Sequence, residues 1–162
     1  MEKEFRNMSN IEIFNKIYKD KIWGEDKNGY SNSGAGSHLP YIIDPYIDVV
    51  NSLLSKIKPN SIVDLGCGDF NVGKNFAFKV KKYIACDVSS VIIERNKAQY
   101  KNLINVEFKQ LDISSDHLPK GDVAFVRQVL QHLSNESIKK FINQINNFKP
   151  FKYILITEHI SK

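Results

Sequence analysis

The chain has 162 residues, enough for one domain with a proper core, and carries 23 basic against 18 acidic side chains, a net charge of +5. Only Arg6, Arg95 and Arg127 among the basic residues are arginine, the type that nucleic-acid binders favour for bidentate and stacking contacts, so the charge reads as AT-rich codon usage and a nucleic-acid partner is not expected. Two cysteines without a C-x-x-C or Cys/His cluster speak against disulfides and metal, and the absence of an apolar leader or membrane-length run predicts a cytoplasmic protein with no membrane partner.

The first 58 residues stand apart from the rest of the chain. Ser9 is placed to cap a helix over 10–19, with Ile13, Ile17 and Phe14 on its apolar face. Residues 23–38 then form a glycine- and serine-rich stretch bracketed by Trp23, Tyr30 and His38. A flexible linker is one reading, but linkers rarely carry such aromatics, and a lid over a site is preferred. Asp44-Pro45 predicts a helix start, with an N-cap and proline at the first position. The stripe Ile47, Val50, Leu54, Ile57 continues it until Pro59.

From Ser61 strands and helices alternate. Strands are predicted at 61–65, 83–86, 106–110, 122–126 and 153–157. Between them lie a helix near 72–80, one capped by Ser89 or Ser90 and running to Tyr100, and one capped by Ser134. The last of these puts Ile138, Phe141, Ile142 and Ile145 on its inner face. Such alternation implies right-handed crossovers and an α/β, doubly wound, mostly parallel Rossmann-like sheet in the order 3-2-1-4-5, with an N-terminal helical extension. The whole chain is read as a single domain, residues 1–58 forming N-terminal helices and a lid loop, and 59–162 an α/β core that binds a cofactor.

The chemistry is expected at the strand ends. The first strand runs into a turn with Gly66 and Gly68, flanked by Asp64 and Cys67; glycine there allows positive φ and close approach of a ligand. Nineteen residues beyond Gly68, Asp87 ends the second strand, followed by Val88, at the spacing that holds the two hydroxyls of a ribose. Asp69 and Phe70 follow where a dinucleotide site needs room for pyrophosphate, so a ribose cofactor with a positive centre and no phosphate suits the turn better: S-adenosylmethionine. Asp112, followed by Ile113, ends the third strand, where a carboxylate can accept from an adenine amino group.

These segments, VDLGCGDF, YIACDVS, FKQLDIS and DVAFVRQVLQHLS, in this order between Ser61 and Glu158, resemble the class I S-adenosylmethionine-dependent methyltransferases. SNSGAGS likewise resembles a loop lying over the cofactor in a bacterial branch of that family, and Phe70 stands where the family usually has a third glycine. The resemblance implies a methyltransferase that places Asp64, Gly66, Cys67, Gly68, Asp87, Val88, Asp112, Ile113, Arg127 and Gln128 at the cofactor. His132 is the general-base candidate and Arg127 the second catalytic candidate; in relatives with a catalytic histidine nearby, that residue falls at Gln131. The other role for His132 is to shape the pocket, and that for Arg127 an ion pair with Glu158 or Asp87; His38 and His159 are further histidine candidates, and His117 reads as a surface residue.

After the fourth strand neither the Asn/Asp-Pro-Pro-aromatic signature of amino-group methylation nor a Pro-Cys nucleophile is present. That pattern implies an oxygen or nitrogen of a small molecule as acceptor, with RNA, or a non-catalytic cofactor-binding module, as the alternatives. The family normally adds two strands after the fifth, so a shortened chain or a homodimer covering the fifth strand is expected.

Overall fold

The computed structural model describes residues 8–158. Among the described residues five α-helices and five strands follow one another as α1 (Asn10–Lys19), α2 (Pro40–Ile57), β1 (Ser61–Leu65), α3 (Lys74–Ala77), β2 (Lys82–Asp87), α4 (Ser90–Gln99), β3 (Val106–Gln110), β4 (Gly121–Arg127), α5 (Asn135–Phe148) and β5 (Phe151–Thr157). All four strand pairings are parallel, in the order β3-β2-β1-β4-β5, the Rossmann-like arrangement anticipated from the alternation. Val63 of the central strand pairs with Ile84 on one side and Ala124 on the other.

Strand periodicity divides the core into two layers, because successive side chains point to opposite faces. Ile62, Tyr83, Val123 and Phe125 face Val50 and Leu54 of α2 and Phe76 of α3. Val63, Leu65, Ile84 and Val126 face the other way, toward Phe141 of α5. The central strands are apolar and buried on both sides, as parallel strands under two helix layers must be. The switch in winding direction lies beside β1, where Gly66 and Cys67 both donate their N–H to the Cys86 carbonyl at 2.8 Å.

Several boundaries differ from the sequence reading. α2 begins at Pro40, five residues before the predicted start, and Pro45 lies inside it. Proline at the first position is already pre-organised, and Pro45 forfeits only the one ladder bond that would have gone to the Tyr41 carbonyl. Lys58, in the left-handed region with φ 45°, ends the helix before Pro59. The expected helix near 72–80 shrinks to a single turn at Lys74–Ala77, since turns occupy both of its flanks. Strand four extends to Arg127, so the arginine is the last residue of the strand itself. Ile142 of α5 is exposed, and so are Tyr153 and Ile156 of the edge strand β5 beside that helix.

Candidate active site

The floor of the site is the turn after β1. Gly66 (φ 86°) and Gly68 (φ 53°) occupy the left-handed region. A Cβ on Gly66 would lie 2.3 Å from Val129 Cγ2, and one on Gly68 would lie 2.2 Å from Ser33 Oγ, so both glycines are required by close packing as well as by φ. Phe70, where the family usually has a third glycine, keeps a glycine-like φ of 63°. Its fully buried ring meets Tyr83, Tyr100 and Phe108 edge to face with centroids 5.3, 5.2 and 5.0 Å away. Aromatic packing offsets the unfavourable backbone.

Asp87 faces this turn from the end of β2. Its Oδ2 accepts from the Gly68 N–H at 3.0 Å and its Oδ1 from the Ser89 N–H at 2.9 Å. Each oxygen therefore keeps a lone pair. Burial raises the carboxyl to about 6, against its backbone donors, Ser89 and Gly68 first and Val88 more weakly, which lower it. Asp64, one strand over, is raised by burial to about 7 although the Tyr83 hydroxyl donates to it at 2.9 Å. Burial also pushes the Cys86 thiol up to about 12, and Cys67 and Cys86 are both free.

Above these residues lies a cavity of about 260 Å³. Gly66, Cys67, Gly68, Asp69 and Asp87 form one wall, and Val88, Leu111 and Ile113 make an apolar slot beyond the Asp87 carboxylate. Asp112 does not line the slot: its Oδ1 accepts from Ser114 N and Oγ at 2.8 and 2.7 Å, and its Oδ2 accepts from Asn10 Nδ2 at 3.1 Å. Arg127, Gln128, Val129 and His132, from the end of β4 and the turn after it, line the side of the cavity that follows β4. Glu158 holds that side in shape by accepting from the N–H groups of Val129 and Leu130 at 3.1 and 3.0 Å.

Arg127 makes neither of the ion pairs considered for it among the described residues. Its Nη2 donates to the Gly36 carbonyl at 2.5 Å, and the guanidinium lies over the Tyr46 ring at 5.0 Å from the centroid. Burial lowers its pKa. Gln128, at φ 53°, donates its N–H to the Thr157 carbonyl at 2.7 Å, and its side chain lies against Gly36. The His132 ring is exposed at one edge and lies 5.2 Å from Trp23 and 6.3 Å from Phe14, centroid to centroid; burial on the other side lowers its pKa, opposed by Glu158. His117 is exposed, and His159 lies outside the described residues.

The N-terminal segment supplies the cover. Ser33 donates its N–H to Asp69 Oδ2 at 2.9 Å and accepts the Asp69 N–H on its hydroxyl at 2.8 Å. His38 Nε2 meets the same carboxylate at 2.5 Å, and Asn71 Nδ2 donates to the Ser37 carbonyl at 2.7 Å. α1 carries the capping box expected from Ser9, completed by Glu12. It docks through Asn15, whose Oδ1 accepts from Ser89 Oγ at 2.8 Å. Asn10, Phe14, Tyr18, Trp23 and Tyr46 all line the cavity, and of these the sequence ties only Trp23 to the site, as one of the residues bracketing the lid. The one signal available is the clustering of aromatics in a stretch whose composition otherwise suits a loop.

The family profile described as "Methyltransferase domain" matches residues 62–148, more than half of the chain. No curated protein matches by sequence. Among solved structures, the N-methyltransferase NodS from Bradyrhizobium japonicum, in complex with S-adenosyl-L-homocysteine, superposes with a TM-score of 0.64 at 16% identity over 84% of this chain and 68% of NodS. The methyltransferase domain of bacterial CtHen1 gives 0.61 at 20% identity over 68% of this chain and 63% of that one. An S-adenosylmethionine-dependent methyltransferase from Clostridium acetobutylicum gives 0.61 at 17% identity over 70% and 49%. The chain thus spans under two thirds of the length of the last two structures. With the family profile across the glycine turn, the strand-end acids and the sheet that carries them, the chain belongs to the class I S-adenosylmethionine-dependent methyltransferases.

Proposed function

We propose that this chain binds S-adenosylmethionine in the cavity and catalyses transfer of its methyl group to an oxygen or nitrogen of a small-molecule acceptor. The observation that carries the reading is Asp87: a buried carboxylate with one backbone donor and one spare lone pair on each oxygen, poised for two ribose hydroxyls. The rest of the cavity fits the same group. Val88, Leu111 and Ile113 offer an apolar slot for a base, and the Asp69 carboxyl at the glycine turn lines the cavity where a cationic tail would lie. NodS binds the corresponding product, S-adenosyl-L-homocysteine, on the same fold.

When bound, the cofactor supplies a methyl group already activated by a positive sulfur. The protein's task is then orientation, which can contribute ~7–11 kcal/mol, more than the 10²–10⁴-fold of a general base. Arg127 and Gln128 hold the Gly36 loop closed over the cavity, which excludes water. His132, with its pKa lowered, is uncharged at neutral pH and available to take a proton from the acceptor. Residues 23–38 act as the lid, within one domain that includes both the N-terminal helices and the α/β core.

The described residues contain no helix long and apolar enough to cross a membrane. Calorimetry with S-adenosylhomocysteine and with NAD tests the assignment: micromolar binding of the first and none of the second is expected. NAD binding without S-adenosylhomocysteine binding would sink it. Activity toward an RNA acceptor, with binding that survives physiological salt, would instead favour a nucleic-acid substrate.

A further inference from the structure

We propose that Asn10, the first residue of α1, reads the base of the bound cofactor, and that Asp112 fixes the orientation in which it does so. The inference rests on the cavity being an S-adenosylmethionine site. Asn10 lines the cavity and is tied by its side chain to Asp112, which stands between the lining residues Leu111 and Ile113 without lining the cavity itself. Asp112 is committed elsewhere, its Oδ1 to Ser114 and its Oδ2 to the amide nitrogen of Asn10.

A carboxylate only accepts hydrogen bonds at neutral pH, so it can pair with the NH₂ end of the Asn10 amide and not with the oxygen. The amide is therefore locked one way round. Its Oδ1 takes no hydrogen bond among the described residues and is the group left to face the cavity. An acceptor at the edge of an apolar slot selects a base that presents an amino group there, as the 6-amino group of adenine does. A base with a carbonyl at that position would set oxygen against oxygen. The amide cannot turn to relieve this, because turning would put its oxygen against Asp112.

The placement is itself held by long-range contacts. Asn10 belongs to the first turn of a helix that is capped by Ser9 and Glu12 and pinned to α4 by Asn15. Asn15 is not part of the cavity wall, so docking of α1 and contact with the base can be separated by mutation.

Calorimetry of the whole chain with S-adenosylhomocysteine and with its deaminated counterpart, S-inosylhomocysteine, tests the inference. The wild-type chain is expected to prefer the amino form by at least ~10-fold, the scale of one unmatched buried hydrogen bond. Asn10→Ala should bring the preference below ~3-fold. Asp112→Asn is the sharper test: its oxygen can stay with Ser114 while its new NH₂ faces Asn10, which forces that amide to turn and present a donor. The preference should then vanish or invert, an effect that simple loosening of α1 would not produce. Asn15→Ala should weaken both ligands by the same factor and keep the wild-type preference. Equal binding of the two ligands by the wild-type chain, or an undiminished preference in Asn10→Ala or Asp112→Asn, overturns the inference while leaving the cofactor assignment standing. Binding of neither ligand by the wild-type chain overturns both.

Discussion

The floor and the cover of the cavity are built on opposite plans. The floor, from Asp64 to Phe70 with Asp87 opposite, is fixed by the ends of two neighbouring strands whose register is set by the sheet ladder. Its groups are buried and bonded to one another, as Gly68 N–H to Asp87 and Tyr83 hydroxyl to Asp64. The cover, from Asn10 to His38, contains one α-helix and a loop, and it is held to the rest of the site largely by hydrogen bonds that involve side chains: two between Ser33 and Asp69, Arg127 to Gly36, and Asn15 to the start of α4. Each bond of that kind contributes ~0.5–1.5 kcal/mol, against several for a packed aromatic. A rigid floor with an openable cover is the arrangement a site needs if ligand must enter and then be shielded from water.

The contrast can be broken most severely at Phe70. Phe70→Ala removes three edge-to-face contacts from the floor and should lower the unfolding free energy by ~3–5 kcal/mol in urea titration. Phe70→Gly should cost less than Phe70→Ala, by ~1 kcal/mol, because glycine relieves the positive φ. The opposite order would mean that the backbone at this point carries no strain.

Asp87→Asn sharpens the comparison at the ligand. The amide can accept only one of the two backbone N–H groups, so the affinity for S-adenosylhomocysteine should fall ~10–100-fold while circular dichroism stays native. The wild-type affinity should also depend on pH. Burial places the folded-state pKa of Asp87 at about 6, above the unfolded value near 4, so ionisation opposes folding and the stability this group confers falls as pH rises through that window. Ligand binding needs the ionised form, so its dissociation constant should rise ~10-fold per pH unit below about 6. The variant should be flat over the same range; an unchanged slope would place the titrating group elsewhere.

The smallest expected effect belongs to the cover. Ser33→Ala removes the hydroxyl that accepts from the Asp69 N–H and meets the Tyr18 hydroxyl at 3.1 Å. Global stability should change by ~1 kcal/mol or less, and affinity should fall ~3–10-fold, mainly through faster dissociation of the ligand. A stability loss as large as that of Phe70→Ala would show that cover and floor are one cooperative unit rather than two separable parts.

The same division explains which features are legible in the sequence. The strands, the glycine turn and the strand-end positions of Asp87 and Arg127 follow from short continuous apolar runs and local turn chemistry, which are properties of neighbouring residues, and the strand order from their alternation with helices. The start of α2 escapes such reasoning because Asp44-Pro45 satisfies a local capping rule that Pro40 satisfies equally well, and packing selects the longer helix. α3 is shorter than its apolar stripe suggests, because a stripe gives no account of the turns around Phe70 and Gly73 that consume its first residues.

By itself, the sequence determined the α/β architecture and the family, because alternating strands and helices admit few topologies and a glycine turn beside an acid at the next strand end fits few ligands. Only the tertiary structure decided that Asp112 bonds Asn10, that Arg127 grips the Gly36 carbonyl, and that Phe14, Tyr18 and Tyr46 wall the cavity. Asn10 and Asp112 are 102 positions apart, and no periodicity or capping rule links residues so distant. Such pairs are selected by how α1 packs on the finished sheet and helices, a choice that exists only once the chain has folded.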